Sequence, residues 1–596
     1  MAKKYIDVMD TTFRDGFQSV FGGRVLMDDF FPAVEAAKNA GINHFEFGGG
    51  ARFQSLFFYL QENAFDMMDK FREIVGPEAN LQTLSRGINT VMLDTGSREL
   101  IDLHAKLFKK HGTTTIRNFD ALNDVDNLAY SAECIKRHGL NHEAVITMMD
   151  LPPGCKGAHD VGFYEKTLRN MLDKGIEFDS LCFKDASGTA NPNKVYETIS
   201  MARKLLGEEV HLRLHTHETA GVSVASYLAA LEAGANGIDM AASPVSGGTS
   251  QPDILTMLHA TKGTNYNLGD LELTKILKYE ERLQECLAEY MIPPEATQVS
   301  PLIPFSPMPG GALTANTQMM RDADTLDKFD EVILAMKEVV ERGGYGTSVT
   351  PVSQFYWQQA YANVMFGDWK QIAPGYGRMV LGYFGKTPVE PDAEIVKLAA
   401  EKLKLEPTTE NPLDHADREV TKSIAYWKKV LEDEELPTTE ENIFIAASCD
   451  QKGIDFLKGN APLMIRKGKN NQNCGEEEMS GSYTVVVDGK SYSVQVAEGD
   501  AEITVAPTSA PVAAPAATPA VVGGKGSIEI NSQTPGNVWK ILKVAGDAVN
   551  EGEQIMILEA MKMEIDIVAE KAGVIKSIEV NTNDAVVDGQ LLATME

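Results

Sequence analysis

The run LRLHTHE sets His215 and His217 two residues apart among alternating apolar and polar positions. Side chains along a strand switch faces with a period of two, so both imidazoles point the same way. Two imidazoles on one face can chelate a divalent ion, although an H-x-H also occurs in strands that bind nothing. Other reactive types sit at the ends of β-rich runs: Arg14 and Asp15 after YIDVMD, Arg86 after NLQTLS, and Lys184 closing SLCFKD. A carboxylate and imidazoles suit a metal, and guanidinium groups suit an anionic substrate. A second lysine stands apart from these. Lys562 lies in EAMKME (559–564), between the halves of an internal repeat. PGNVWKILKVAGDAVNEGEQIMIL (535–558) is echoed by AGVIKSIEVNTNDAVVDGQLLATM (572–595), with Gly536, Asp547 and Gly552 recurring 37 positions later as Gly573, Asp584 and Gly589. A turn on the axis of two such β units would hold Lys562 out to solvent between Met561 and Met563. An exposed lysine with no role is otherwise the commonest case.

Eight strands are expected to position the first group. They are 5–10, 44–49, 80–85, 113–119, 144–150, 180–185, 210–217 and 236–242, with amphipathic stretches such as 28–41 and 224–235 between them. Strand–helix units at about 30-residue spacing predict a closed (β/α)8 or TIM barrel over 1–265. A doubly wound open sheet is the competing fold, but no G-x-G-x-x-G follows the first strand. In a barrel, Asp15, Lys184, His215 and His217 fall at the C-terminal strand ends, the face that carries barrel active sites. Residues 266–466 read as a helical domain beside the barrel mouth. A β-hairpin module at 480–505 turns on Asp488-Gly489. A Pro/Ala-rich linker at 506–525 cannot bury a core, and 526–596 form a small all-β sandwich at the C-terminus.

Composition narrows the class. A formal charge of −30 leaves no basic excess for nucleic acid, so an anionic substrate must be captured by local cations. Six scattered cysteines without a C-x-x-C argue for a reducing compartment and against a zinc finger. The start lacks a signal-peptide core, which points to a cytoplasmic protein, peripheral to a membrane complex if it has a membrane partner.

The A-M-K-M at Ala560–Met563 in a duplicated β unit resembles the biotinyl carriers of biotin-dependent carboxylases. The motifs DTTFRDGFQS (10–19), LSRGINT (84–90), FDALND (119–124), FKDASG (183–188), HTHETAG (215–221), SGGTSQP (246–252) and MPGGALT (308–314) resemble the carboxyltransferase domain shared by pyruvate carboxylase, the oxaloacetate decarboxylase alpha subunit and transcarboxylase. The resemblance spans about 1–465 and the C-terminal module. It implies biotin on Lys562, attached by a biotin protein ligase, and a divalent metal held by Asp15, His215, His217 and a carbamylated Lys184. Zn²⁺ suits that set, with Mn²⁺ or Co²⁺ as alternatives. It further implies a 2-oxo acid substrate of the pyruvate/oxaloacetate type bound by Arg14, Arg86 and Gln18. A metal-stabilised enolate would follow, with Thr314 moving the proton; a helix N-cap is the plain alternative for Thr314. Carboxybiotin would come from a separate biotin carboxylase subunit, or its carboxyl group would pass to membrane decarboxylase subunits. A homo-oligomer, a dimer or larger, is expected.

Three positions depart from the family pattern: Leu93 stands where relatives carry Tyr, Phe17 where His is common, and FGGG (47–50) replaces a W-G-G. If all three lie on the barrel mouth, a widened pocket would accept a longer acid, as in a 2-oxoglutarate carboxylase large subunit. The second carboxylate of such an acid would reach an arginine near Phe53, whereas an enzyme that keeps pyruvate would recover the lost contact through Asn89 or Arg52. Leu93 turned into the barrel wall, with a nearby residue replacing the tyrosine, is the plain alternative. A metal-dependent lyase of the same barrel superfamily and a carrier scaffold with a degenerate barrel are the remaining readings.

Overall fold

The computed structural model describes residues 3–468, 481–487, 490–496 and 528–596, apart from 533, 535, 561, 562, 583 and 588. Eight parallel strands close a barrel: β1 (Lys4–Asp10), β2 (His44–Gly49), β3 (Asn80–Ser85), β4 (Thr115–Asn118), β5 (Asn141–Thr147), β6 (Ser180–Asp185), β7 (His211–Thr216) and β8 (Gly237–Met240). Closure comes where β1 pairs with both β8 and β2. A ninth strand, β9 (Tyr266–Leu268), extends the N-terminal half of β1. The expected strands are all present. The fifth lies earlier than its apolar run suggested, because β4 pairs with β5 from Asn141 onward. The following Met148-Met149-Asp150 belongs to the loop above.

Aliphatic and aromatic side chains fill the shell between strands and outer helices. Inside the barrel the filling is charged: Glu46, Arg117, Glu143, Arg213 and Asp239 are all buried. Charges survive there only as mutual partners. Arg117 Nε meets Glu143 Oε1 at 2.5 Å, and its Nη1 meets Asp239 Oδ2 at 2.5 Å. Arg213 reaches Asp239 Oδ1 at 2.9 Å and also pairs with Asp7 at the bottom of the barrel.

Residues 266–466 are largely helical, but their helices share no single core. The helices Leu273–Leu287, Ile424–Asp433 and Glu440–Leu457 pack into the barrel's own shell. There Phe444 sits against Phe53, Phe65 and Phe108. Three others, α1 (Gly310–Asp322), α2 (Phe329–Arg342) and α3 (Val352–Phe366), build a second core around the fully buried Trp357. That core also takes in Leu84 from the end of β3 and Phe119, Met149 and Ala186 from loops above the barrel strands. It therefore roofs the end of the barrel where the reactive residues lie.

The strands β10 (Gly481–Val487) and β11 (Lys490–Val496) pair antiparallel, with Val487 opposite Lys490. The turn at Asp488-Gly489 and the linker 506–525 lie outside the described residues. The C-terminal module has β12 (Ile528–Asn531), β13 (Gly536–Ile541), β14 (Ala548–Val549), β15 (Gln554–Ala560), β16 (Met563–Val568), β17 (Gly573–Ile578), β18 (Ala585–Val586) and β19 (Leu591–Met595). They form two four-stranded sheets, β12-β19-β17-β14 and β16-β15-β13-β18, each mixing strands from both halves of the repeat. The repeat extends to its turns. Asp547 accepts from the Val544 N–H, and Asp584, 37 residues on, accepts from the Asn581 N–H. Among the described residues, no helix is long and apolar enough to cross a membrane.

Candidate active site

Asp15 reaches the site on a π-helical turn, Thr12–Gly16, that leaves β1 and is buried throughout. β6 delivers Lys184 beside His215 of β7, with which it is in register. The strand periodicity does what the H-x-H spacing implied, and His217 follows His215 on the same side. Asp15 Oδ2 lies 3.2 Å from Nε2 of both histidines, and the two Nε2 atoms are 3.1 Å apart. Lys184 Nζ lies 2.7 Å from His215 Nε2 and 4.0 Å from Asp15 Oδ2. Asp15, His215 and His217 are the set among the described residues whose ligand atoms converge in this way.

Each ring nitrogen facing away from that point has an acceptor. His215 Nδ1 lies 2.8 Å from Asp239 Oδ2, and His217 Nδ1 lies 2.7 Å from the Thr249 carbonyl. Nδ1–H donation to these oxygens leaves both Nε2 lone pairs turned inward, the tautomer a metal ligand needs. Burial pushes the His215 imidazole below its usual range, towards the neutral form, with Lys184 adding to the effect. Burial also lowers the Lys184 amine, which eases the neutral state needed to form a carbamate. Burial works against the Asp15 carboxylate, but Arg14, His217 and Lys184 hold it well below the usual range. Inward lone pairs beside a fixed carboxylate call for a cation, and the donor set fits a divalent metal. Lys184 does not pair with Asp185 here. Asp185 instead accepts from Ser187 and from the N–H groups of Thr189 and Ala190.

A small recess opens beside this cluster. It is lined by Arg14, Gln18, Arg86, Lys184 and His217, and roofed by Pro309, Gly311, Ala312, Val349 and Thr350. Arg14 Nη2 is held by Glu46 Oε2 at 2.6 Å, and Arg86 Nη1 donates to the Val91 and Met92 carbonyls at 2.7 and 3.0 Å. Burial, with Arg14 nearby, lowers the Arg86 guanidinium to about 9. The Nε atoms of both arginines and Gln18 Oε1 are buried without a partner. Such groups at a recess await a ligand that satisfies them. Thr314 stands in the first turns of α1, with Oγ1 3.5 Å from Thr249 Oγ1. The N-cap of α1 is Pro309, so Thr314 is not a cap.

The expectation of a wider mouth does not hold. Phe17 is fully buried in an aromatic cluster with Phe13 and Phe30. Leu93 is 39% exposed and does not line the recess. The two suggested replacements are already committed, since Arg52 donates to the carbonyls of Gly23 and Val25, and Asn89 donates to that of Leu93. Of the three departures only FGGG borders the site, where Gly50 approaches Gln18 and Arg14. Sequence reasoning also missed residues. Gln251 Nε2 lies 3.0 Å from both Asp15 Oδ2 and His217 Nε2, and it sits inside the quoted SGGTSQP run. Asp239 and Arg117 show in the sequence only as lone charges within strand patterns. Lys562 lies outside the described residues. It falls between β15 and β16, which pair up to Ala560 and Met563.

Three family models match the chain: a conserved carboxylase domain over 303–503, a biotin-requiring enzyme domain over 528–595, and an HMGL-like domain over 158–280. A pyruvate carboxylase subunit of Methanocaldococcus jannaschii is 30% identical over 564 residues, covering 94% of each chain. The methylmalonyl-CoA carboxyltransferase 5S subunit of Propionibacterium freudenreichii subsp. shermanii is 30% identical, covering 69% of this chain and 79% of its own. In fold, the chain is similar to the carboxyl transferase domain of Rhizobium etli pyruvate carboxylase with pyruvate and biocytin, at a TM-score of 0.69 and 23% identity over 77% of this chain and 78% of that one.

Proposed function

The chain belongs to the biotin-dependent carboxyltransferases that include the archaeal pyruvate carboxylase subunit, and on that premise we propose that it moves a carboxyl group between biotin on Lys562 and pyruvate or oxaloacetate. The barrel and residues 266–466 form the transfer unit, and 526–596 form the carrier. The observation that carries this reading is the convergence of Asp15, His215, His217 and Lys184 beside a recess whose unpartnered donors belong to Arg14 and Arg86.

Asp15, His215, His217 and a carbamylated Lys184 would hold a divalent metal, Zn²⁺ first, which when bound supplies Lewis acidity at the substrate's 2-oxo group. Arg14 and Arg86 hold the substrate carboxylate, and the Gln18 side chain contacts the 2-oxo oxygen. The fixed positive groups favour the charge that develops as the methyl carbon loses its proton. Thr314 carries that proton to the ureido nitrogen that releases the carboxyl group, and the deprotonated carbon takes the carboxyl group up. In the reverse direction both transfers run backwards.

A biotin protein ligase loads Lys562, and a separate biotin carboxylase charges it, as fits a relative that is itself one subunit of a pyruvate carboxylase. The longer 2-oxoglutarate is not favoured, because neither Arg52, whose Nη1 and Nη2 donate to the Gly23 and Val25 carbonyls, nor Leu93 lines the recess. The biotinylated chain should be offered pyruvate/oxaloacetate and 2-oxoglutarate/oxalosuccinate in parallel. Preference for the longer pair would overturn the substrate assignment.

A further inference from the structure

The carrier's internal repeat supplies a control for its own surface. Thr534 lies in the connection between β12 and β13, and its repeat mate 37 positions on is Lys571, between β16 and β17. Lys571 is exposed, whereas Thr534 is 1% exposed. The same position in the repeat is thus exposed in one half and covered in the other, and part of the cover comes from outside the module. That part comes from the end of α3. The Tyr361 hydroxyl hydrogen-bonds the Thr534 side chain and lies 3.4 Å from the Thr325 hydroxyl. Phe366, the last residue of α3, packs against the carrier's hydrophobic core.

We propose that the Tyr361–Phe366 end of α3 is the docking surface for this chain's own carrier, and that the Thr534 turn is the part of the carrier that seats on it. The placement suits transfer. Val349 and Thr350, which line the catalytic recess, lead directly into α3. Tyr361 and Phe366 lie further along this 15-residue helix, about 14 and 21 Å from Val352 at 1.5 Å per residue. A contact of one aromatic and one hydroxyl pair is small enough to release, as a shuttling carrier requires, yet it fixes which side of the module faces the helix. Its contribution is orientation of a tethered group, which matters only when biotin arrives on the carrier.

This inference rests on the proposed carboxyl transfer, and the test separates the two. Thr534→Lys installs the residue that the repeat already tolerates at position 571, so the module should fold. Phe366→Glu removes the apolar half of the contact. Oxaloacetate decarboxylation is measured twice, with the biotinylated chain alone and with the unbiotinylated chain plus free biotin. Each variant is expected to lower the tethered reaction about tenfold and to leave the free-biotin reaction unchanged. Unchanged tethered rates, or equal losses in both reactions, would overturn the docking surface. A wild-type chain inactive with both biotin sources would instead sink the functional reading. The contact would then be judged by thiol labelling of a Thr534→Cys chain, which should be slow and should quicken on adding Phe366→Glu. Equally fast labelling in both chains would overturn it.

Discussion

Asp239 Oδ2 is shared between Arg117 Nη1 at 2.5 Å and His215 Nδ1 at 2.8 Å, while Oδ1 takes Arg213 Nη1 at 2.9 Å. The two guanidinium groups outweigh burial and hold this carboxylate well below its usual range. A fixed anion behind the ring orients the imidazole and sets its tautomer. Asp239→Asn should therefore lower metal affinity about 10- to 100-fold, read by titration against a chelator. Unchanged affinity would deny Asp239 that role. Thr314→Ala should retain metal and biotin yet lose about 10²- to 10⁴-fold in transfer rate, the usual worth of a positioned proton carrier. Near wild-type rates would exclude Thr314 as the carrier. Asp15, Lys184, His215 and His217 were legible in the sequence because strand ends and period-two spacing say where a side chain goes. Asp239 and Arg117 were not, because these two groups are 122 residues apart in the chain and pairing across a barrel leaves no local pattern. Phe17 and Leu93 were misplaced for the related reason that motif position does not reveal which way a side chain turns.

The element that most constrains the roof is the start of α1. A Cβ on Gly310 would collide with the Thr249 carbonyl oxygen, the oxygen that accepts from His217 Nδ1. Gly310→Ala must therefore push α1 and the β8 loop apart. We expect a loss of about 1–3 kcal/mol or more in urea unfolding, together with weaker metal binding as Thr249 shifts. An unaltered midpoint would mean that the roof is looser than these contacts imply. Helix and strand identities were readable from periodicity, and β6 matches its expected span, 180–185. The π-helical turn that aims Asp15 was not, since DTTFRDG carries no periodic signal. Nor does the pattern of residues 266–466 reveal that its helices divide between two cores. An amphipathic stripe announces that a face is buried, not against what.

Across the whole molecule, a chain with a formal charge of −30 keeps its site cations inside, where Arg14, Arg86, Arg117 and Arg213 are buried. Long-range attraction of an anionic acid is thereby given up for local, weakly screened capture. The carrier was legible from its 37-residue repeat, which the two interleaved sheets reproduce down to the Asp547 and Asp584 turns. Its docking face was not, because the two halves of a repeat look alike until one of them is covered. The central step is the passage of a carboxyl group between a 2-oxo acid and biotin on Lys562. The most direct measurement incubates the biotinylated chain with oxaloacetate labelled in the carboxylate beside its methylene, then captures the protein at once on streptavidin. Such a transfer requires label on the wild-type chain, far less on a biotinylated His215→Ala chain, and no capture of Lys562→Arg at all. Captured wild-type protein without label, or a Lys562→Arg chain that still binds streptavidin, would contradict it.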